Sequence, residues 1–192
     1  MEDSTIKINR GIYSGLPDTA TKSFGNPELL KVIVKVPRRT EGKYDKLPIL
    51  ITNELFEEAK EIVADGGIPK FIGKFVEYRD DVLSDPYMIL QVEIVCVYKG
   101  EEEERTNVVE VVGTIVSISD INELVNGDKL AHIMIAPIGE ETKTPITVVA
   151  WNSVADYCTR IKKGDLLAAK GFMQARKTSR FSMNHKGMQT IT

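Results

Sequence analysis

Short apolar or alternating runs recur along the whole chain, separated by polar segments rich in Gly, Pro, Asn and Asp. In the second half these runs predict strands, because apolar and β-branched residues with a period of two fit a sheet with one buried face. The five predicted strands are 108–118, 130–136, 145–151, 166–175 and 187–192. A helix is predicted at 152–162, where the spacing puts four residues on one inward face: Val154, Ala155, Cys158 and Ile161.

The first half shows the same order of elements. Its apolar runs predict five strands, with a loop at 19–28: these strands are 12–17, 29–37, 47–52, 68–78 and 87–100. A helix is predicted at 53–67, with Asn53 as its N-cap, acidic residues in its first turns and two glycines at its end.

The order of elements suggests an internal duplication. Glycines and prolines recur at separations of 97 to 100 residues, as Gly15 with Gly113, Pro37 with Pro137, Pro48 with Pro145, Gly66 with Gly164, and Gly73 with Gly171. Five landmarks at a nearly constant separation predict two copies of one unit. We therefore expect a first unit at 1–100, an acidic linker at 101–106 that contains four consecutive glutamates, and a second unit at 107–192.

The second unit resembles the bacterial single-stranded DNA-binding proteins. The resemblance lies in VVAW, a helix containing VAD, a KGD turn and a strand with an interior glycine that ends in QARK, preceded by NVVEVVGTIVS and NGDKLAHIMIA. It implies an OB-fold, a five-stranded Greek-key barrel that binds oligonucleotides on one face and its loops. The expected fold class is all-β, with tandem OB-fold barrels and one short helix per unit. The first unit lacks these motifs, so its assignment rests on the repeat.

Composition and charge narrow the class of protein. The chain has 192 residues, of which 42% are hydrophobic and 28% charged, as in ordinary soluble domains. No apolar run reaches the length of a membrane span, and the N-terminus lacks the apolar core of a signal peptide. Cys96 and Cys158 lie in apolar patterns, which predicts buried, reduced thiols and a cytoplasmic protein.

The net charge of −3 is not typical of a nucleic-acid-binding protein, but its distribution is uneven. Residues 107–192 hold ten Lys and Arg against eight Asp and Glu, whereas residues 1–106 hold fifteen against twenty. Arg38, Arg39 and the aromatic residues Phe24, Tyr44 and Tyr78 could contact DNA, but the acidic balance of the first unit favours a supporting role.

Aromatic side chains are the first candidates for binding, because every base has a face on which they can stack. Trp151 ends the third strand of the second unit, where the resembled family places a base-stacking aromatic; the alternative is a core tryptophan. Phe172 follows the interior glycine of the fourth strand, and there the core is slightly favoured. Phe181 lies in a polar segment, where burial of a large apolar side chain is less expected.

Cations around these aromatics are the candidates for phosphate contact. Arg176, Lys177, Arg180 and Lys186 lie, with His185, in the connection between the last two strands, and Lys170 could extend this basic track. A solvated hairpin tip is the alternative for the connection. Arg160, Lys162 and Lys163 could also extend the track, but Lys162 and Lys163 can equally interact with the helix dipole.

Three departures from the family weaken the resemblance. Thr178 stands where the family often has an aromatic, and Pro137 and Ile138 stand where a basic residue is common. The first-unit position that matches Trp151, near Asn53, has no aromatic. The sequence also stops at Thr192, so we do not expect recruitment through the family's acidic C-terminal tip.

These observations predict a protein that binds single-stranded DNA without strong sequence preference, in replication, recombination or repair, and that works as a homodimer with four OB-folds. No cofactor and no metal are expected. Catalysis is not expected either, because His132 and His185 lack ligand or nucleophile partners and there is no phosphate-binding loop. The alternative is a primosome-like accessory protein, an interaction module that contacts replication proteins and binds DNA weakly or not at all.

Overall fold

The computed structural model describes residues 9–38, 40–79, 86–100, 106–139 and 144–174, and the backbone of 180–184 and 187–191. The strands are β1 (Arg10–Ser14), β2 (Leu16–Lys22), β3 (Leu29–Pro37), β4 (Tyr44–Thr52), β5 (Pro69–Tyr78), β6 (Tyr87–Val97), β7 (Asn107–Ile118), β8 (Asn122–Glu123), β9 (Lys129–Pro137), β10 (Ile146–Trp151), β11 (Leu166–Gly171), β12 (Arg180–Asn184) and β13 (Gly187–Ile191). The helices are α1 (Asn53–Ala64) and α2 (Ser153–Tyr157), and a 3₁₀ turn, Cys158–Arg160, continues α2.

Most predicted elements are confirmed, with shifts at their ends. The predicted loop at 19–28 is wrong over its first four residues, which belong to β2. The N-cap of α1 is Thr52 rather than Asn53, because the Thr52 hydroxyl accepts a hydrogen bond from the Leu55 N–H at 3.3 Å. The predicted linker at 101–106 lies, except for its last residue, outside the described residues.

Eleven strands form one sheet, whose hydrogen-bonded order is β10–β9–β7–β1–β5–β6–β4–β3–β2, with β11 on β7 and β8 on β9. All pairs are antiparallel except β4 with β6. The sheet is not closed, since its ends, β10 and β2, are not paired with each other. In the first half, however, only Gly15 separates β1 from β2 in the sequence. The hydrogen-bonded run β2–β3–β4–β6–β5–β1 therefore begins and ends in one continuous segment of the chain.

The final predicted strand pairs differently from the expectation. Gly187–Ile191 pairs with Arg180–Asn184 in a separate two-stranded sheet, rather than with the strands of the second half. The segment assigned to a connection between strands therefore contains β12. As a consequence, no strand of the described residues bridges the outer edges of β10 and β11 in the second half.

Strand β1 joins the two halves. It pairs with β5 of the first half on one side and with β7 of the second half on the other, so that Gly11 lies opposite both Gly73 and Val109. Asn9 precedes this strand with a φ of +60° and is buried. Its side chain donates to the Ile138 carbonyl at 2.8 Å and accepts from the Val112 N–H at 3.0 Å. One residue thus fixes the second half to the start of the first.

The two halves repeat the same register between their first and fourth strands. Gly11 lies opposite Gly73 in the first half, and Val109 lies opposite Gly171 in the second. Each residue of the second pair is 98 positions after its counterpart, which is the separation expected from the sequence landmarks. The glycines that end the helical segments also agree, because Gly66 and Gly164 both have positive φ, at 80° and 94°.

A close backbone crossing is repeated as well. A Cβ on Gly15 would lie 2.2 Å from the Lys35 carbonyl oxygen, and a Cβ on Gly113 would lie 2.1 Å from that of Ala136. Three residues after each glycine the ladder shifts by one residue, in a β-bulge. Only glycine fits at these two crossings, which explains why both positions appear in the sequence repeat.

One hydrophobic core runs through both halves, but their contributions differ. Phe71 and Phe75 of β5 are at most 1% exposed, whereas the second half buries small side chains such as Ala131 and Ala150. Of the predicted inward face of α2, Ala155 and Cys158 are buried and Ile161 is half-buried, but Val154 is 58% exposed, so its prediction was wrong. A helix of five residues presents only a narrow side to the core.

Candidate nucleic-acid interface

Trp151 projects away from the core at the end of β10. Its strand neighbour Ala150 is buried, and alternation therefore directs Trp151 to the outer face, where it is 39% exposed. The alternative of a core tryptophan does not hold. The chain turns directly after it, at Asn152, which has a φ of +49°.

A polar network fixes the turn that follows Trp151. The Asn152 side chain accepts from the Lys129 N–H at 3.0 Å and donates to Asp128 at 3.1 Å. The Lys129 ammonium lies 3.0 Å from Asp156, and this hydrogen bond raises the pKa of Lys129. Tyr157, in the same short helix as Asp156, is 51% exposed. The indole therefore stands on a braced turn, beside other exposed apolar surface.

Lys170 and Phe172 lie on the outer face of the fourth strand of the second half. The Lys170 ammonium is 2.6 Å from a Glu110 carboxylate oxygen across the β7–β11 ladder. Phe172 is 67% exposed, which contradicts the expectation that it belongs to the core. The Asn107 side chain holds the backbone next to it, donating to the Met173 carbonyl at 2.6 Å and accepting from the Met173 N–H at 2.9 Å.

The two aromatic candidates do not form one site. Lys170, two residues before Phe172, lies opposite Glu110, whereas Trp151 lies opposite Leu130 of β9, beyond the Ile118 end of β7. Eight residues of β7 separate Glu110 from Ile118, or about 26 Å of strand. The outer face therefore presents two separate aromatic positions along one sheet.

The remaining sequence candidates are less fully described. Phe181 and Arg180 belong to β12, whose backbone alone is described. Arg176, Lys177 and Lys186 lie outside the described residues. Their predicted roles in phosphate contact and stacking stay predictions.

Several candidates of the first half have structural partners. Arg38 donates two hydrogen bonds, at 2.9 and 2.5 Å, to the buried carboxylate of Asp45. Tyr78 is buried, and its hydroxyl accepts from the Phe24 N–H at 3.0 Å. Arg38 and Tyr78 thus stabilise the first half, while Phe24 and Tyr44 remain exposed at 57% and 49%.

Two cations escaped the sequence prediction. Arg10 of β1 lies opposite Lys74 of β5 and also opposite Glu110 of β7. Arg10 and Lys74 are 64 residues apart in the chain, and Glu110 lies 100 residues after Arg10. A strand pattern does not specify its pairing partners, so no local signal could have brought these residues together.

The described residues contain neither a metal-binding cluster nor a membrane-spanning helix. No group of three or more His, Cys, Asp and Glu residues there could hold a metal ion. No helix in the same part of the chain is long and apolar enough to cross a membrane. The expected buried thiols are confirmed for Cys158, but Cys96 is only half-buried; both are free.

Comparison with known proteins gives a structural match. No family model matches the sequence, and no curated protein matches it. The wild-type single-stranded DNA-binding protein of Thermus aquaticus superposes with a TM-score of 0.61 at 15% identity, covering 87% of this chain and 85% of that chain. A deletion mutant of that protein superposes with a TM-score of 0.59 at 16% identity, covering 87% and 86%. The resemblance noted at 107–192 is thus confirmed and extends over most of the chain, which has the OB-type fold of a single-stranded DNA-binding protein.

Proposed function

We propose that this protein binds single-stranded DNA without strong sequence preference, by base stacking and phosphate contacts. The observation that carries the proposal is the fold shared with the Thermus aquaticus protein over 87% of the chain. The outward position of Trp151 supports it, because a half-exposed indole on a braced turn can stack with a base at little cost in ordering. The same likeness supports a non-catalytic role.

The fluorescence of Trp151 tests the proposal, since the chain contains one tryptophan. Titration with a long oligothymidine at low salt should quench the emission, and added salt should restore it. In an electrophoretic shift assay, which does not need the tryptophan signal, Trp151→Ala should weaken binding by about 1–3 kcal/mol, the usual value of one stacked base, while Trp151→Phe should retain most of it. Val63→Ala is the control and should leave binding unchanged, because Val63 is an exposed apolar residue of α1 with no proposed contact to DNA.

The alternative, a primosome-like accessory module, predicts a different result. Emission would stay unchanged at every oligonucleotide concentration, and an electrophoretic shift assay of the same mixture would show free oligonucleotide only. Quenching that is insensitive to salt would also contradict the phosphate contacts of the proposal.

We further propose that the chain contains two OB-type units, at 1–100 and 107–192. Support comes from the equal register of the first and fourth strands and from the matching backbone crossings at Gly15 and Gly113. A homodimer with four such units, acting in replication, recombination or repair, is the assembly that we expect. Light scattering should give twice the mass of the 21.4 kDa chain.

A further inference from the structure

A row of polar side chains crosses the boundary between the two halves on the outer face of the sheet. In register across β5, β1, β7 and β11 lie Lys74, Arg10, Glu110 and Lys170. Adjacent strands are about 4.8 Å apart, so the row is about 14 Å long. Three cations and one carboxylate therefore lie side by side, although they come from four distant parts of the sequence.

All four side chains are on the same face. A Cβ on Gly11, the residue after Arg10, would meet the core side chains of Leu90 and Phe75, so Arg10 projects to the opposite, outer side. Val109 is buried and precedes Glu110, which is exposed. The outer faces of the two halves are thus continuous across β1.

The charges in this row are unbalanced. Arg10 and Lys74 are direct cross-strand neighbours, an arrangement of like charges that destabilises a sheet. Among the described residues neither forms an ion pair or a side-chain hydrogen bond. The one carboxylate of the row, Glu110, lies 2.6 Å from Lys170 instead. Glu110 is also the cross-strand neighbour of Arg10, but its carboxylate is engaged by Lys170. Two adjacent, half-buried cations that form no ion pair among the described residues are chemically suited to an anion.

An apolar row runs beside the charged one. Ile72, Ile12 and Val108 are in register across β5, β1 and β7, and each is half-buried. Phe172, two residues after Lys170 and 67% exposed, lies at the second-half end of the same face. A cationic row next to an apolar row that ends in an aromatic matches a strand of nucleic acid, which carries phosphates along one side and bases along the other.

We propose that Arg10 and Lys74 form a phosphate-binding site at the joint between the two halves, which carries a single nucleic-acid strand from one half to the other over β1. The proposal rests on the single-stranded DNA binding proposed above. Arg10 supplies a planar, permanently charged donor group and Lys74 a compact ammonium, both suited to phosphate oxygens. Glu110 limits the positive charge of the site by holding Lys170.

The test is the salt dependence of oligothymidine binding by Arg10→Gln, Lys74→Gln and the double variant. Each single change should weaken binding at low salt by about tenfold, as expected for loss of a charged hydrogen bond. Each should also reduce the slope of log K against log salt by about 0.7. Lys60→Gln, which removes a cation of α1 paired with Glu57, is the matched control and should change neither quantity.

Glu110→Gln gives an independent readout of opposite sign. It removes the negative charge from the row and frees Lys170, so oligothymidine should bind about threefold more tightly and with a steeper salt slope. A fold-only role for Arg10 and Lys74 does not predict this increase. The melting temperature of the double variant should not fall, because a repulsive cross-strand pair is removed.

If the double variant binds oligothymidine with the affinity and the salt slope of the unsubstituted chain, the proposed site is wrong and the proposed function still holds. Unchanged or weaker binding by Glu110→Gln would overturn it too, even if the double variant failed to fold. If the unsubstituted chain itself binds no oligothymidine, the proposed function fails first, and the site fails with it.

Discussion

The first and second halves pair their first and fourth strands in the same register, but they differ on the far side of the fourth strand. In the first half β6 lies there, and a Cβ on Gly73 would be 1.9 Å from the Gln91 carbonyl oxygen. In the second half Gly171 occupies the matching position of β11, and no atom of the described residues lies within 4 Å of its Cβ site. The same residue type is therefore sterically required in one half and not constrained by the described residues in the other.

The two halves use the same strand arrangement differently: the first buries large side chains, and the second exposes aromatic ones. The first half buries Phe71 and Phe75 between β5 and its neighbours, whereas Leu167 and Ala169 at the corresponding face of β11 are only half-buried. The first half thus supplies most of the large buried side chains. The second half exposes Trp151 and Phe172, which a fully packed unit of the same size would have less reason to do.

Truncation of a core residue should show the largest contrast. Phe75→Ala should lower the free energy of unfolding by about 3–5 kcal/mol, because Phe75 is 1% exposed and the cavity left behind is large. Met173→Ala in the second half should cost only about 1–2 kcal/mol, since Met173 is half-buried. Urea denaturation followed by circular dichroism measures both, and equal losses would contradict the contrast.

The two matching glycines should show the next largest effect. Gly73→Ala should cost at least ~2 kcal/mol, because its methyl group would overlap the backbone of β6. Gly171→Ala should change stability by no more than ~0.5 kcal/mol, since the added Cβ meets open space. Thermal melting of the two variants gives the comparison. A loss for Gly171→Ala as large as for Gly73→Ala would mean that a strand packs against β11 as β6 packs against β5.

The thiols should show the smallest effect. Burial raises the pKa of the Cys158 thiol, so less of it is thiolate at any given pH, and its sulfur also donates to the Val154 carbonyl at 3.4 Å. Alkylation of native protein near pH 8 should therefore modify the half-buried Cys96 at least about tenfold faster, and the Cys158 rate should rise with pH. Mass spectrometry of the peptides measures both rates. The control is unfolded protein, where the two cysteines should react alike; equal rates in native protein would refute the contrast.

The sequence predicted the strands well because their signals are local. Alternation identified most of β3 to β7, and glycine and proline landmarks revealed the repeat, since residues such as Gly15 and Gly113 are dictated by backbone crossings. Side-chain direction at strand ends was harder. Trp151 is the last residue of β10, and Phe172 directly follows β11. At such positions the sequence pattern is compatible with either face of the sheet.

Partners across long separations were beyond the sequence. Nothing near Arg10 indicates that β1 pairs with two strands, and nothing near Lys74 places it beside Arg10. Arg38 is a different case: its partner Asp45 is only seven residues away across the β3–β4 hairpin, but the sequence does not show that the Asp45 carboxylate becomes buried.

The position of β1 has a consequence for how the chain folds. One edge of this strand can pair with β5 as soon as the first half has been synthesised, but its other edge must wait for β7, which begins 97 residues after β1 does. Until then Ile12 and its neighbours present an unpaired edge, the kind of surface that captures other chains. Pairing over so long a separation is also slow. Asn9 completes its contacts at this late step, because both of its described side-chain hydrogen bonds go to backbone groups of the second half. The joint between the halves is thus the point where refolding yield should be most sensitive to protein concentration.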